Sequence, residues 1–228
     1  MKKLSKRYKK LVESVKDKNL YKIDDVIGKV KKNCTSKFDE SIDVSLSLNL
    51  KKKKEEFNLR TVVNLPNGNG KKVKVAVLCE DSKIDEAKKS GAEIFNSETL
   101  VNDISAGKIK FDKLIATPAM MSKMGKLGKI LGPKGLMPNP KLGTVTNDIA
   151  PTVKALMTGQ IEIKSDKDGN VGASIGKKSF DEKKIKQNFD SLIEKISKEK
   201  PSGIKGDFII SAFLTSTMGI SYKLKLGK

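Results

Sequence analysis

The chain has 228 residues, enough for one large domain or two ordinary ones, and a formal net charge of +20. That surplus exceeds the magnitude of roughly 2–8 that suffices for solubility, so it points to a polyanionic partner, of which nucleic acid is the commonest. Histidine is absent, which excludes Ser-His-Asp chemistry, histidine general bases and most zinc sites.

Apart from Arg7 and Arg60 the basic residues are lysines. Lysine is a point charge suited to phosphate, whereas reading guanine edges in a DNA groove favours arginine. Aromatics make up 5% with no tryptophan, too few for wholesale base stacking. What remains is backbone and shape recognition of a folded nucleic acid, which fits structured RNA. Cys34 and Cys79 lie far apart without a partner motif and read as buried thiols in a reducing cytoplasm, not as a metal or redox pair. No apolar run approaches a membrane span, and the lysine-rich start lacks the apolar core of a signal peptide. The expectation is a cytoplasmic protein with no membrane association, metal or cofactor.

Residues 1–18 place Leu4, Tyr8, Leu11, Val12 and Val15 on one helical face. Asp24 and Asp25 open a second helix carrying Ile23, Val26, Ile27 and Val30. The period then changes to two: Ile42, Val44, Leu46, Leu48 and Leu50 alternate with Asp43, Ser45, Ser47 and Asn49, as in a half-buried strand. The charged run 51–56 reads as a solvated loop, and 60–65 as a further strand. After the turn at 66–70, residues 73–79 form a near-continuous apolar strand, as in a parallel sheet buried on both faces. Helix (84–90), strand (92–95), helix (97–106), strand (114–117) and helix follow, and a helix at 147–157 closes the region. This alternation defines an α/β unit.

Residues 160–164 and 170–175 flank Asp166-Lys-Asp-Gly169, a hairpin signal. Ser179-Phe-Asp-Glu182 has the form of a capping box for a helix whose buried stripe is Ile185, Phe189, Leu192, Ile193 and Ile196. Residues 208–214 and 220–226 are strands, with Thr215-Ser-Thr-Met-Gly219 between them. The economical architecture is a discontinuous α+β domain, an antiparallel sheet with helices built from 1–66 and 159–228. An α/β Rossmann-like three-layer domain, 67–158, is inserted in it. Two chain crossings near 66 and 159 would form a hinge.

Three features compete for the function. Residues 123–143 combine Gly125, Gly128, Gly132, Gly135 and Gly143 with Pro133, Pro138 and Pro140 and interspersed lysines. The stretch is helix-compatible to Leu131 and a shaped basic loop beyond it. The 215–219 tip places three consecutive hydroxyls and Met218 where phosphates, 2′-hydroxyls or base edges could be met, with Gly219 available for a positive φ. It is equally an ordinary hairpin end. Phe38, taken alone, reads as core. Gly172-Ala-Ser-Ile-Gly-Lys-Lys-Ser179 is one spacer short of a phosphate-binding loop and stands in a hairpin region. Gly68 and Gly70 precede a strand where a dinucleotide fingerprint follows one. Asp24-Asp25, Glu55-Glu56 and Asp181-Glu182 are explained by helix starts or solvent. No enzyme is indicated. The alternatives are an enzyme or nucleotide-binding switch using the α/β domain and a sequence-indifferent DNA-compacting protein.

Thr117-Pro-Ala-Met-Met121, Leu131-Gly-Pro-Lys-Gly-Leu-Met-Pro-Asn-Pro-Lys141 and Gly143-Thr-Val-Thr146 resemble the signature of the bacterial large-subunit ribosomal protein one family, the mobile-stalk protein beside the tRNA exit site. The resemblance continues through Lys37-Phe-Asp-Glu-Ser41, Arg60, Leu65-Pro66, Asp166-Lys167, Ile175-Gly-Lys177, Ser179-Phe180 and Thr217-Met-Gly219, nearly the whole chain. It implies that the terminal domain binds large-subunit ribosomal RNA. The implied contacts are Lys37, Phe38, Glu40, Ser41, Lys164, Asp166, Lys167, Ser211, Thr215, Thr217, Met218 and Gly219. It further implies a stalk that moves with deacylated tRNA during release from the exit site. Repression of the chain's own operon through its mRNA, and a monomeric state outside the ribosome, are implied as well. Ala119, Thr61 and Lys164 depart from the family's usual acid, glycine and arginine. At Lys164 a forked donor becomes a point charge.

Overall fold

The computed structural model describes residues 5–14, 20–50, 59–96, 98–106, 110–201, 204 and 206–226. The expected charged loop 51–56, and Leu4, Val15, Ser97, Ser202 and Gly203, lie outside them. The elements are α1 (Lys6–Ser14), α2 (Ile23–Asn33), β1 (Ser41–Leu48), β2 (Arg60–Asn64), β3 (Val75–Leu78), α3 (Ile84–Lys89), β4 (Ile94–Asn96), α4 (Glu98–Ser105), β5 (Lys113–Ala116), α5 (Met121–Met124), α6 (Gly128–Leu131), α7 (Ile149–Thr158), β6 (Gln160–Lys164), β7 (Asn170–Lys177), α8 (Glu182–Lys198), β8 (Ile209–Ser216) and β9 (Tyr222–Leu224). They form two compact units, Met1–Gly70 with Ile161–Lys228, and Lys71–Gln160.

In the first unit an antiparallel sheet of order β7-β1-β8-β9 is built on β1. The alternation read along β1 sends Ile42, Val44, Leu46 and Leu48 into a core shared with Val26, Ile27 and Val30 of α2 and Ile185, Leu192 and Ile196 of α8. Apolar spacing on each helix matches its turn, so both helices cover the same sheet face. Of the expected first-helix stripe, Leu11 is buried and Tyr8 half-buried, but Val12 is exposed.

Two local expectations are corrected. The turn at Asp166–Gly169 forms, with Gly169 at φ 83, but the strands beside it diverge. β6 pairs with β2 in a separate two-stranded sheet and β7 pairs with β1, leaving a single Ser165–Val171 bridge between them. The capping box is not made: Asp181 occupies the N-cap position without a side-chain bond, and the Ser179 hydroxyl donates to Asp39 instead. In both cases a partner distant in sequence displaces the local one.

The second unit is a parallel sheet of order β4-β3-β5. All four residues of β3 are buried, because each face is covered. Ala76 and Leu78 pack with Leu100 and Ile104 of α4 and with Met120, Met124, Leu127 and Leu131, while Val75 and Val77 pack with Ala87 of α3 and Ile149 and Val153 of α7. The helix expected after β5 is broken into α5 and α6 by 3-10 turns at Pro118–Met120 and Gly125–Leu127. Its apolar side is buried, whereas Lys123, Lys126, Lys129, Lys134 and Lys141 are exposed. Asn139 and Thr144 close the proline-rich loop: the Asn139 amide donates to Thr144 Oγ1 at 2.8 Å, and Asn139 Oδ1 accepts from the Lys141 amide at 2.9 Å.

Division between the units falls after Gly70 and Gln160, beyond the crossings expected at 66 and 159. Asn188 of α8, fully buried, gives the reason on the first side. Its Oδ1 accepts from the Asn67 amide at 3.1 Å, and its Nδ2 donates to the Gly68 and Ile175 carbonyls at 2.8 and 2.7 Å. Asn188→Leu leaves those groups unpaired, each at about 1–3 kcal/mol. Urea unfolding should show a loss of at least that size.

Candidate functional site

Two segments far apart in sequence meet at one end of β1. Residues 34–40 lead into the strand, and Thr217–Gly219 form the turn after β8. Between them lies Glu40, whose side chain has no solvent exposure. Its Oε1 accepts from the Ser36 amide at 2.9 Å; its Oε2 accepts from the Ser216 hydroxyl at 2.8 Å and the Met218 amide at 3.2 Å. Ser41 adds a second tie, its amide donating to Thr217 Oγ1 at 3.0 Å while the Thr217 amide donates to the Ser41 carbonyl at 3.1 Å. Burial pushes the Glu40 carboxyl up, but the donors from Ser36, Ser216 and Met218 outweigh it and hold it below the usual carboxylate value.

Further bonds fix the segment from below. Lys178 Nζ donates to the Cys34 carbonyl at 2.7 Å and the Lys178 amide to the Glu40 carbonyl at 2.8 Å. Asp39 accepts from both the amide and the hydroxyl of Ser179. Arg7 of α1 reaches across, one guanidinium nitrogen on Thr35 Oγ1 and another on the Met218 carbonyl, each at 3.0 Å. Burial raises the Cys34 thiol above its ordinary value, in keeping with an inert role beneath the tip.

On this scaffold Phe38 is 53% and Met218 46% exposed. The expectation that Phe38 belongs to the core is therefore corrected. Lys37 and Thr217 are exposed as well, and Ser41, Thr215 and Gly219 half-buried. The Glu40 carboxylate is closed by its three donors and shapes the tip. Ser216, read among three outward hydroxyls, points inward onto Glu40. Gly219 is absent from the glycines of positive φ. It is required by close approach, since a Cβ there would stand 2.3 Å from Ser216 Oγ.

The remaining expected contacts, on β8, β6 and the turn before β7, lie away from the tip. Ser211 pairs with Ser47 near the far end of β1, where the Leu48 amide donates to the Gly169 carbonyl. Lys164, Asp166 and Lys167 are exposed around that turn. Asp166 is occupied in building it, accepting from the Asn170 amide, the Asn170 side chain and the Asp168 amide, and these bonds lower its pKa. Residues missed in sequence are Arg7, Asp39, Lys178 and Ser179. For Arg7 the available signal was its rarity in a lysine-rich chain. A pocket of about 420 Å³ lined by Ile23, Phe189, Ile193, Phe208 and Leu224 lies at the end of β8 remote from Ser216 and holds none of these groups. Among the described residues no cluster could hold a metal ion, and no helix is long and apolar enough to cross a membrane.

A basic chain presenting an exposed aromatic, a methionine and a lysine on a braced tip has the character of a nucleic-acid-binding protein. Residues 30–220 match the Ribosomal protein L1p/L10e family, and the chain belongs to that family. Among curated relatives it is 56% identical, over 98% of both chains, to the large ribosomal subunit protein uL1 of Pelagibacter ubique (strain HTCC1062).

Glu40→Gln keeps the shape but turns an NH2 group toward one set of donors. Amide exchange at Ser36 or Met218 should accelerate about tenfold to a hundredfold, as expected for a loss of about 1–3 kcal/mol. The wild-type brace has a sign in pH: with the folded pKa depressed, its contribution is present above the unfolded value of about 4.3. It is lost as pH falls through the folded value. Chemical shifts of the Ser216 to Gly219 turn, followed in an acid titration, check this.

Proposed function

We propose that the chain is a structural constituent of the large ribosomal subunit, cytoplasmic and ribosome-associated, and not an enzyme. It binds large-subunit ribosomal RNA at the mobile stalk. The observation that carries the reading is the tip itself, where residues 37–41 and 215–219 are joined through Glu40 and Ser41 so that Phe38 and Met218 stand exposed beside Lys37. Apolar side chains held rigidly in solvent suit packing on ribose or base, with lysines taking phosphate. The net charge of +20 and the name of the 56%-identical relative support the same partner.

In this reading the two units act as domains, with the double crossing between them as a hinge. The hinge lets the stalk move with deacylated tRNA as it leaves the exit site. The exposed lysines of residues 123–143 are available to a tRNA or RNA backbone. The same tip, binding a matching structure in the chain's own operon mRNA, represses its translation. Outside the ribosome the protein is a monomer.

Met218→Asp and Phe38→Ser should each weaken binding to a stalk ribosomal RNA fragment by tenfold or more at fixed salt, with unchanged thermal unfolding. Wild-type affinity in both would remove the tip from the interface. Binding should also fall steeply with salt, by about −0.7 to −0.9 in log–log slope per phosphate neutralised. A flat response would contradict a lysine-dominated contact.

A further inference from the structure

The tip has a second staple, at the surface. Glu40 holds it from within through the Met218 amide, and Arg7 of α1 holds the next peptide, its guanidinium donating to the Met218 carbonyl. The two peptides that flank the Met218 Cα are therefore tied, one to a buried carboxylate and the other to a cation. Between them these bonds fix the two soft torsions that aim the exposed Met218 side chain. A second guanidinium nitrogen reaches Thr35 Oγ1. One side chain thus joins the segment before β1 to the turn after β8, with both bonds at 3.0 Å.

Residue type and place both matter. A guanidinium presents several donors in a rigid plane, whereas an ammonium is a compact point charge. A hydroxyl and a carbonyl on different segments call for the fork. The neighbouring bases of α1, Lys6, Lys9 and Lys10, are exposed lysines. Arg7 stands in the first turn, where Ser5 caps the helix: its Oγ accepts from the Tyr8 amide and its carbonyl from the Lys9 amide. Burial does little to hold α1. Of its described side chains only Leu11 is buried, and Val12 is exposed. A helix of 9 residues is marginal in water on its own, so α1 depends on docking. Arg7 makes that docking and the order of the tip one event.

We propose that Arg7 is a positioning residue for the RNA-binding tip and that α1 is a strap. Docked, α1 holds Met218 in the binding geometry; undocked, it leaves the turn looser and the affinity lower. The proposal rests on the reading of the tip as an RNA site and adds a coupling to it. Linkage makes that coupling reciprocal: whatever factor α1 docking adds to RNA affinity, bound RNA adds to α1 docking. Arg7 acts through Met218 and not by neutralising phosphate, since two of its nitrogens are engaged by protein oxygens.

The test uses the full-length protein and a stalk ribosomal RNA fragment, with affinity measured across salt and amide exchange followed in the free and bound states. Arg7→Lys keeps the charge and loses the fork; it should weaken binding about fivefold with an unchanged salt slope. Arg7→Ala should weaken it about tenfold. Lys10→Ala removes a charge from the same helix and leaves the staple, so affinity should stay within about twofold. In the free protein, exchange at Thr217 and Gly219, whose amides are bonded to Ser41 and Ser216, should accelerate in both Arg7 variants. Exchange at Val44 of β1 reports the fold and should not move. RNA should slow exchange in α1 of the wild type by about the factor that Arg7→Ala loses in affinity. Wild-type affinity in both Arg7 variants would overturn the proposal. So would a salt slope shallower by about 0.7–0.9 in Arg7→Ala with exchange at the turn unchanged, the result expected of a phosphate contact. Met218→Asp in the same assay separates the two readings. If it binds as the wild type, the tip is not the site; if it weakens binding and the Arg7 variants do not, the strap alone fails.

Discussion

The Glu40 carboxylate is the interaction on which the candidate site depends. A buried carboxylate without partners is too costly to persist, so its three donors, the Ser36 and Met218 amides and the Ser216 hydroxyl, are a condition of the fold being as it is. Two of the donors lie in segments outside the regular elements, and the third, Ser216, ends β8. Satisfying the charge therefore fixes residues 36–40 and 216–218 relative to β1, and Phe38 and Met218 are exposed as a consequence. A site that spends no ordering entropy at the moment of binding gains affinity from that rigidity.

Arg7 and Lys178 show how cations are divided in this chain. Both donate to backbone carbonyls inside the tip scaffold, whereas the lysines of 123–143 point outward from a helical turn whose other side is buried. The first kind builds geometry. The second kind supplies a field that steers polyanions and is screened by salt. Net charge alone does not separate these roles, because only burial and partners decide which cation is structural.

Periodicity was a sound guide wherever one face of an element was buried. The alternation in β1, the stripe of α8 and the doubly buried β3 all stand where their patterns put them, since those patterns record burial directly. Local motifs failed where a distant group offered a better bond. Ser179 left its capping box for Asp39, 140 residues away. The 160–175 hairpin opened because β2 and β1 each claimed one strand. Ser216 turned inward because Glu40, 176 residues away, required a donor.

Sequence by itself determined the family, through long ordered motifs; its charge pointed to a polyanion, and the lack of histidine excluded histidine chemistry. It also determined most of the residues that form the cores, though not Val12 or Phe38, which are exposed. Tertiary structure alone decided that Phe38 faces solvent, that Glu40 braces the tip, and that Gly219 answers to a neighbouring hydroxyl instead of to φ. The reason is that hydrophobic periodicity is written between residues close in the chain. The hydrogen bonds that make the tip join residues that only β1, paired on both sides, brings within reach.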